Sequence, residues 1–139
     1  MGIEVKLENN IDTVLVKIQD NLKRKMKQAT MTVMDTTEIT LSGARTGRTY
    51  FVPGTKTTYV ASAAGPPGEP GEPPAAPTGQ LSNSVAAEVS GDGLEGRVGT
   101  DLGYGRDLEV GTSKVSPRPW LAPSFEKAKD KITEIFTQD

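Results

Sequence analysis

The clearest hydrophobic pattern lies in the first third of the chain. Apolar residues recur there at intervals of three and four positions, which is typical of one face of a long amphipathic helix. They are Ile11, Val14, Leu15, Ile18, Leu22, Met26, Ala29 and Val33. Asn9 and Asn10 precede them and predict a turn and a helix N-cap. The helix is clear to about Ala29, and the Thr-rich, β-branched stretch that follows leaves its end open.

Shorter patterns before and after this helix predict strands. Residues 3–7 alternate apolar and polar side chains, which indicates a short strand. Residues 48–52 and 57–61 are rich in Thr, Tyr, Phe and Val and flank Pro53-Gly54, which predicts a hairpin.

Residues 65–77 form a segment of different composition. Nine of these 13 residues are Gly or Pro, which excludes a helix or a central strand. We expect an extended loop, largely polyproline II. Glycine recurs at every third position from Gly65 to Gly71, but this collagen-like period is too short for a triple helix.

The following region predicts a second hairpin and a short helix. Thr78 could cap a helix that reaches residue 85 or 87, or residues 85–89 could already form a strand. Gly91-Asp92-Gly93 is a turn signal, and residues 94–100 are its predicted partner strand.

The last part of the chain predicts a loop and a final helix. Residues 102–110 are ambiguous, and we interpret the glycines around Tyr104 as a turn. Residues 111–119 predict a loop, and a helix is expected from about Pro123 to Phe136, with proline in its first turn. The order helix, strands, helix predicts an α+β fold with both helices on one face of an antiparallel sheet.

Composition narrows the chemistry of this single predicted domain of 139 residues. Apolar residues make up 35% and aromatic residues 5%, so the core is expected to be thin. The chain has neither His nor Cys, which excludes Ser-His-Asp and Cys-His catalysis, zinc fingers and disulfides. The N-terminus lacks the hydrophobic core of a signal peptide, and no apolar run is long enough to span a membrane. We therefore expect a protein made and folded in a reducing cytosol.

Charge is unevenly distributed. The net charge is −2, so no global field attracts nucleic acid. Residues 1–60 nevertheless carry 9 basic and 6 acidic side chains, and residues 61–139 carry 7 and 12. Such a dipolar subunit suits head-to-tail association. Lys23, Arg24, Lys25 and Lys27 form a basic run that predicts a solvated helix face; phosphate binding is the alternative.

Few residues could carry catalysis or bind metal. Asp107 and Glu109 would share a face if they lay on a strand, and two close carboxylates can divide acid and base roles. The alternative, two solvated carboxylates beside Arg106, is favoured. With Asp101 they form too sparse a cluster for a metal site. Trp120, the only Trp, predicts a core anchor; an interface residue is the alternative.

Three segments in order resemble a known protein family. They are residues 61–85, with Pro77-Thr78-Gly79-Gln80-Leu81, residues 104–112, with Tyr104, Glu109, Gly111 and Thr112, and residues 116–125, with Pro117-Arg118-Pro119-Trp120-Leu121. Together they resemble the neck or tail-completion proteins, also called minor tail components, of long-tailed double-stranded DNA phages. Relatives commonly carry an acidic residue at the position of Pro77 and Arg at that of Gln80.

The resemblance implies scaffold roles for these residues. Thr78 would cap the helix that Gly79 begins. Gly111 would allow a positive φ. Pro117 and Pro119 would stiffen the loop that directs Arg118 and Trp120.

The resemblance also implies a structural virion protein of the head–tail junction, without enzymatic activity or a cofactor. It would be assembled in the host cytoplasm and form a ring of six copies, which completes the tail or joins it to the head. DNA would pass through the ring without specific binding. Expected partners are further copies and adjacent head-closure, tail-terminator or tail-tube proteins, with no membrane involved.

The residues expected at subunit interfaces include charged residues of both halves of the chain. They are Lys23, Arg24, Lys25, Lys27, Glu69, Glu72, Arg118 and Trp120. The Pro/Gly-rich segment 65–77 is either an arm that docks on a neighbour or an exposed connector. The alternative function is a small nucleic-acid-binding module that uses the basic helix face at residues 17–27, and an enzyme using Asp107 and Glu109 is the least favoured.

Overall fold

The computed structural model describes residues 2–67 and 69–138, and within them four helices and two β-hairpins alternate. The elements are α1 (Ile11–Ser42), β1 (Thr49–Phe51), β2 (Thr58–Val60), α2 (Gln80–Ser84), β3 (Ala86–Val89), β4 (Gly96–Gly99), α3 (Gly103–Val110) and α4 (Leu121–Thr137). Gly68, one of the periodic glycines, lies outside the described residues. The α+β prediction is confirmed.

Helix α1 continues through the Thr-rich stretch to Ser42. Threonines at positions 30, 32, 36, 37 and 40 each donate their hydroxyl to the carbonyl four residues earlier, at 2.7 to 2.9 Å. Thr37 is fully buried, at 0% exposure, and this bond gives its hydroxyl a hydrogen-bond acceptor. The local bonds therefore offset the low helix propensity of threonine and allow it to be buried.

The strands form two separate antiparallel hairpins rather than one sheet. In the first, Tyr50 pairs with Tyr59, and their ring centroids lie 5.9 Å apart. In the second, Ala87 pairs with Val98. Both hairpins occur where the sequence predicts them, but only β3 and β4 pack closely on α1.

The core lies where α1, α2 and the start of α4 meet. Leu41, Leu81, Val85 and Trp120 form its buried cluster. Helix α4 packs along α1, and the buried Ser124 hydroxyl donates to Thr40 Oγ1 at 2.9 Å across the pair.

Two local predictions are wrong. Residues 3–7 form no strand and are exposed, because an alternating pattern without a hydrogen-bonded neighbour does not make a sheet. Residues 103–105 are not a turn but the first residues of α3. Gly105 is needed there, since a Cβ would lie 2.5 Å from Thr100 Cγ2.

The helix termini are close to their predicted positions. Asn10 occupies the N-cap of α1, but the side chain that accepts the Ile11 N–H is Asn9, at 3.0 Å. Gly79, with φ of 71°, occupies the N-cap of α2, and Thr78 accepts a long bond from Gln80 N at 3.4 Å. Helix α4 begins at Leu121, two residues before Pro123.

Candidate assembly surface

Trp120 belongs to the core rather than to an interface. It is 2% exposed, and its indole Nε1 donates to the Gly105 carbonyl at 2.9 Å. A buried indole N–H needs such an acceptor. The core interpretation of Trp120 is therefore confirmed, and its inclusion among interface residues is wrong, because a neighbouring copy cannot reach it.

Glu109 holds the start of helix α4. Its Oε2 accepts the Trp120 and Leu121 N–H groups at 2.7 and 2.8 Å, and its Oε1 accepts the Ala122 N–H at 2.9 Å. The next residue, Pro123, has no N–H. One carboxylate thus satisfies the amides at a helix start that has no side-chain cap of its own. A negative charge there also suits the helix dipole.

Asp107 and Glu109 do not form a catalytic pair. Both lie on helix α3 rather than on a strand, and residues two apart on a helix do not face each other. Glu109 is occupied by three amides, whereas Asp107 is exposed. Among residues 2–67 and 69–138, no group of three or more acidic side chains could hold a metal ion.

Glu72 ties the Pro/Gly-rich segment to the chain's own body. Its carboxylate accepts the Thr46 hydroxyl at 2.6 Å and the backbone N–H groups of Thr46 and Ala63 at 3.0 and 3.1 Å. These bonds, the one from the Thr46 hydroxyl foremost, lower the pKa of Glu72 to about 2. Glu72 is therefore engaged within the subunit, and its place at an interface stays a prediction.

Arg118 has a similar internal role. Its guanidinium donates to the Ser62 and Ala63 carbonyls at 3.0 and 2.8 Å. Gly71 N donates to the Pro117 carbonyl at 3.1 Å, and Arg45 reaches the Pro74 carbonyl at 3.1 Å. Part of the segment 65–77 is thus bound to the subunit itself, and the half-buried Arg118 takes part in this binding, while its place at an interface stays a prediction. Glu69 is exposed.

The other motif residues also serve the scaffold. Gly111 has the predicted positive φ, 75°. Tyr104 donates its hydroxyl to Gln80 Oε1 at 3.3 Å, and Thr112 Oγ1 accepts the Val115 N–H at 3.0 Å. Pro119 is half-buried.

The basic run at residues 23–27 divides between one contact with α4 and an exposed helix face. Lys25 Nζ donates to the Phe136 and Gln138 carbonyls, near the end of α4, where a cation is favoured by the helix dipole. Lys23 and Lys27, and Arg24 and Lys27, are four and three residues apart on the helix, so these three residues share one face. All three are exposed, as expected for a solvated helix face.

The most unusual surface is what we call the N-terminal arm, residues 2–22. Nine large aliphatic side chains are exposed on it: Ile3, Val5, Leu7, Ile11, Val14, Leu15, Val16, Ile18 and Leu22. Ile3 is 94% exposed, and Ile18, in the helix, is 50% exposed. Four of them, spaced i, i+4, i+7 and i+11 from Ile11, continue the apolar stripe of α1. Contiguous apolar surface of this kind indicates an interaction site.

A second apolar surface lies on the body, which we call the α1–α4 groove. It encloses about 510 Å³ between α1, β4 and α4. Its apolar lining includes Met26, Ala29, Val33, Val98, Leu121, Phe125, Ile132 and Phe136. Phe125 is 47% exposed although it faces this groove. The groove is therefore an incompletely covered apolar surface at the base of the arm.

The sequence analysis missed three of these features. It interpreted the whole apolar stripe as one face without separating its exposed part from its covered part. It did not identify the groove, whose walls come from distant elements. It also missed the role of Glu109, although Trp120 at a helix start without a Ser, Thr, Asp or Asn cap signals an acceptor from elsewhere.

Among the described residues, no helix has the length and apolar character needed to cross a membrane. No protein-family model, curated protein or solved structure matches this chain.

Proposed function

We propose that this chain is a structural assembly protein of the phage head–tail junction. It forms a ring that completes the tail or joins it to the head around the DNA channel. The observation that carries the assembly function is the exposed apolar surface of the N-terminal arm. An aliphatic surface of this extent gains stability only when another surface covers it.

The organisation of the body supports the same proposal. The residues that resemble the neck proteins, among them Glu109, Arg118 and Trp120, hold helices and loops together. No buried side-chain nitrogen or oxygen in the described part of the chain lacks a hydrogen-bond partner. The buried polar groups of the body thus serve the scaffold.

The ring and its position in the virion come from the resemblance. A ring requires heterologous contacts, in which one patch of a subunit meets a different patch of its neighbour. The arm and the groove are two different apolar patches on one chain, as such a contact needs. Six copies is the number that the resemblance implies.

The test is electron microscopy of lysates from a phage that carries a nonsense mutation in this gene. Filled heads separate from tails are expected, and supplying the wild-type gene in trans should restore joined particles. Normal infectious particles would overturn the proposal. Tails of abnormal length would instead place the protein at tail termination.

A further inference from the structure

The N-terminal arm and the α1–α4 groove have matching chemistry. The arm presents aliphatic anchors at positions 11, 15, 18 and 22 of one helix face. The groove presents aliphatic and aromatic side chains, with Phe125 and Phe136 at its edge. An amphipathic helix whose apolar anchors repeat in this way is typical of helix-in-groove recognition.

The arm helix cannot occupy the groove of its own subunit. Met26, Ala29 and Val33, which line the groove, lie on the same helix as the arm. Residues 11–22 extend about 18 Å along that helix, away from the groove. The helix would have to break to fold back, so the Ile11–Leu22 face can enter only the groove of another molecule.

The size of the two surfaces also fits a specific interface. A stable protein interface uses roughly 20–30 residues on each side, and residues 2–22 are of that extent. The groove, of about 510 Å³, is open to solvent, and Phe125 and Phe136, which line it, are 47% and 38% exposed. Residues 11–22 continue a helix whose later turns are packed on the body, so the arm presents its anchors on a helix that is already nucleated.

We propose that the N-terminal arm of one copy docks its Ile11, Leu15, Ile18 and Leu22 face into the α1–α4 groove of a second copy. Each copy supplies one arm and one groove, so the contact is heterologous and can propagate around a ring. The proposal deepens the proposed function and rests on it for its place in the virion. Because the contact is apolar, its affinity is expected to change little with salt concentration.

The first experiment is sedimentation equilibrium of the full chain up to about 1 mM. Wild type is expected to self-associate. The variant Leu15→Glu/Ile18→Glu should lose association by at least about 100-fold, because two anchors no longer bury apolar surface. The matched control Thr13→Glu/Lys17→Gln makes the same change in net charge on the opposite face, leaves every aliphatic side chain of the arm in place and should associate like wild type. A wild-type monomer at every concentration, or equal loss in both variants, would overturn the proposal.

The second experiment locates the contact and remains informative if a variant folds poorly. The chain has no Cys, so single cysteines are unique reporters. Variants with Cys at position 11, 15, 18 or 22 are each mixed with Ala122→Cys at the groove and oxidised. Mixed disulfides between arm and groove are expected, and Thr13→Cys should form few. Disulfides only between two arms, or none, would overturn the groove as the docking site.

These results are separable from those of the phage experiment. Arm-to-groove disulfides together with a normal nonsense-mutant lysate would retain the interface and reject the head–tail role. Separated heads and tails without arm-to-groove disulfides would retain the head–tail role and reject the interface.

Discussion

The two halves of helix α1 carry the same apolar periodicity and have opposite surroundings. In the C-terminal half, Ala29, Val33 and Leu41 are buried. In the N-terminal half, every residue from 11 to 20 is exposed. The difference is that α4 and the second hairpin cover one half and nothing in the described chain covers the other. An apolar stripe predicts that a helix will be covered, but not that its own chain covers it.

The composition of the two halves sharpens this contrast. The covered half buries three threonines, Thr30, Thr37 and Thr40, whereas the arm exposes large aliphatic residues. Threonine can be buried there because its hydroxyl bonds to the helix backbone. Hydrophobicity alone would have predicted that the arm is buried and that the threonine-rich half is exposed.

The largest expected effect is on the covered half. Trp120→Ala should lower the free energy of unfolding by about 3–5 kcal/mol, because it leaves a cavity beneath α1 and an unpaired Gly105 carbonyl. Urea unfolding followed by circular dichroism measures this loss. A loss below about 1 kcal/mol would show that the contrast between covered body and exposed arm is overstated.

The next effect tests whether α4, which covers α1, depends on Glu109. Glu109→Gln should cost about 1.5–3 kcal/mol, since three backbone N–H groups lose their charged acceptor. Asp107→Asn, two positions away and exposed, is the control and should stay within about 0.5 kcal/mol of wild type. Equal urea midpoints for both variants would contradict the role assigned to Glu109.

A smaller, pH-dependent effect concerns the loop bound to the body. The folded pKa of Glu72, about 2, lies below its ordinary value of 4.5, so its ionised form stabilises the fold above pH 4.5. That contribution declines as pH falls from 4.5 and is lost through about pH 2. The urea midpoint of wild type should therefore be higher than that of Glu72→Gln at pH 7. The difference between the two midpoints should become smaller towards pH 3.

The control for this comparison is Glu69→Gln, an exposed carboxylate on the same segment. The difference in urea midpoint between Glu69→Gln and wild type should be the same at pH 7 and at pH 3. A gap for Glu72→Gln that does not narrow below pH 4.5 would contradict the role given to its ionised form.

The smallest expected effect is on the arm. Leu15→Glu/Ile18→Glu should change the free energy of unfolding of the monomer by less than about 0.5 kcal/mol, because these side chains are already exposed. Chemical denaturation in dilute solution measures this value. A loss above about 2 kcal/mol would mean that the arm is covered within its own subunit, and the contrast between the halves would disappear.

Much of the fold could be predicted because its signals are local. Pro53-Gly54 and Gly91-Asp92-Gly93 marked both hairpins, and the spacing from Ile11 marked α1. The candidate site was less predictable. Glu72 was expected at an interface because it lies on the segment 65–77, a candidate docking arm, and Arg118 because it adjoins Trp120 and both residue types are enriched at interfaces. Their partners, Thr46, Ser62 and Ala63, lie far away in sequence.

The sequence by itself determined both long helices and both hairpins, since periodicity, glycine and proline act over a few residues. It also excluded chemistry that needs His or Cys. Only the tertiary structure decided that Glu109 holds the start of α4, that Trp120 is buried, and that the apolar stripe of α1 is covered along one half. These outcomes depend on which segments, distant in sequence, contact each other in the fold. Burial results from those contacts and cannot be read from one segment alone.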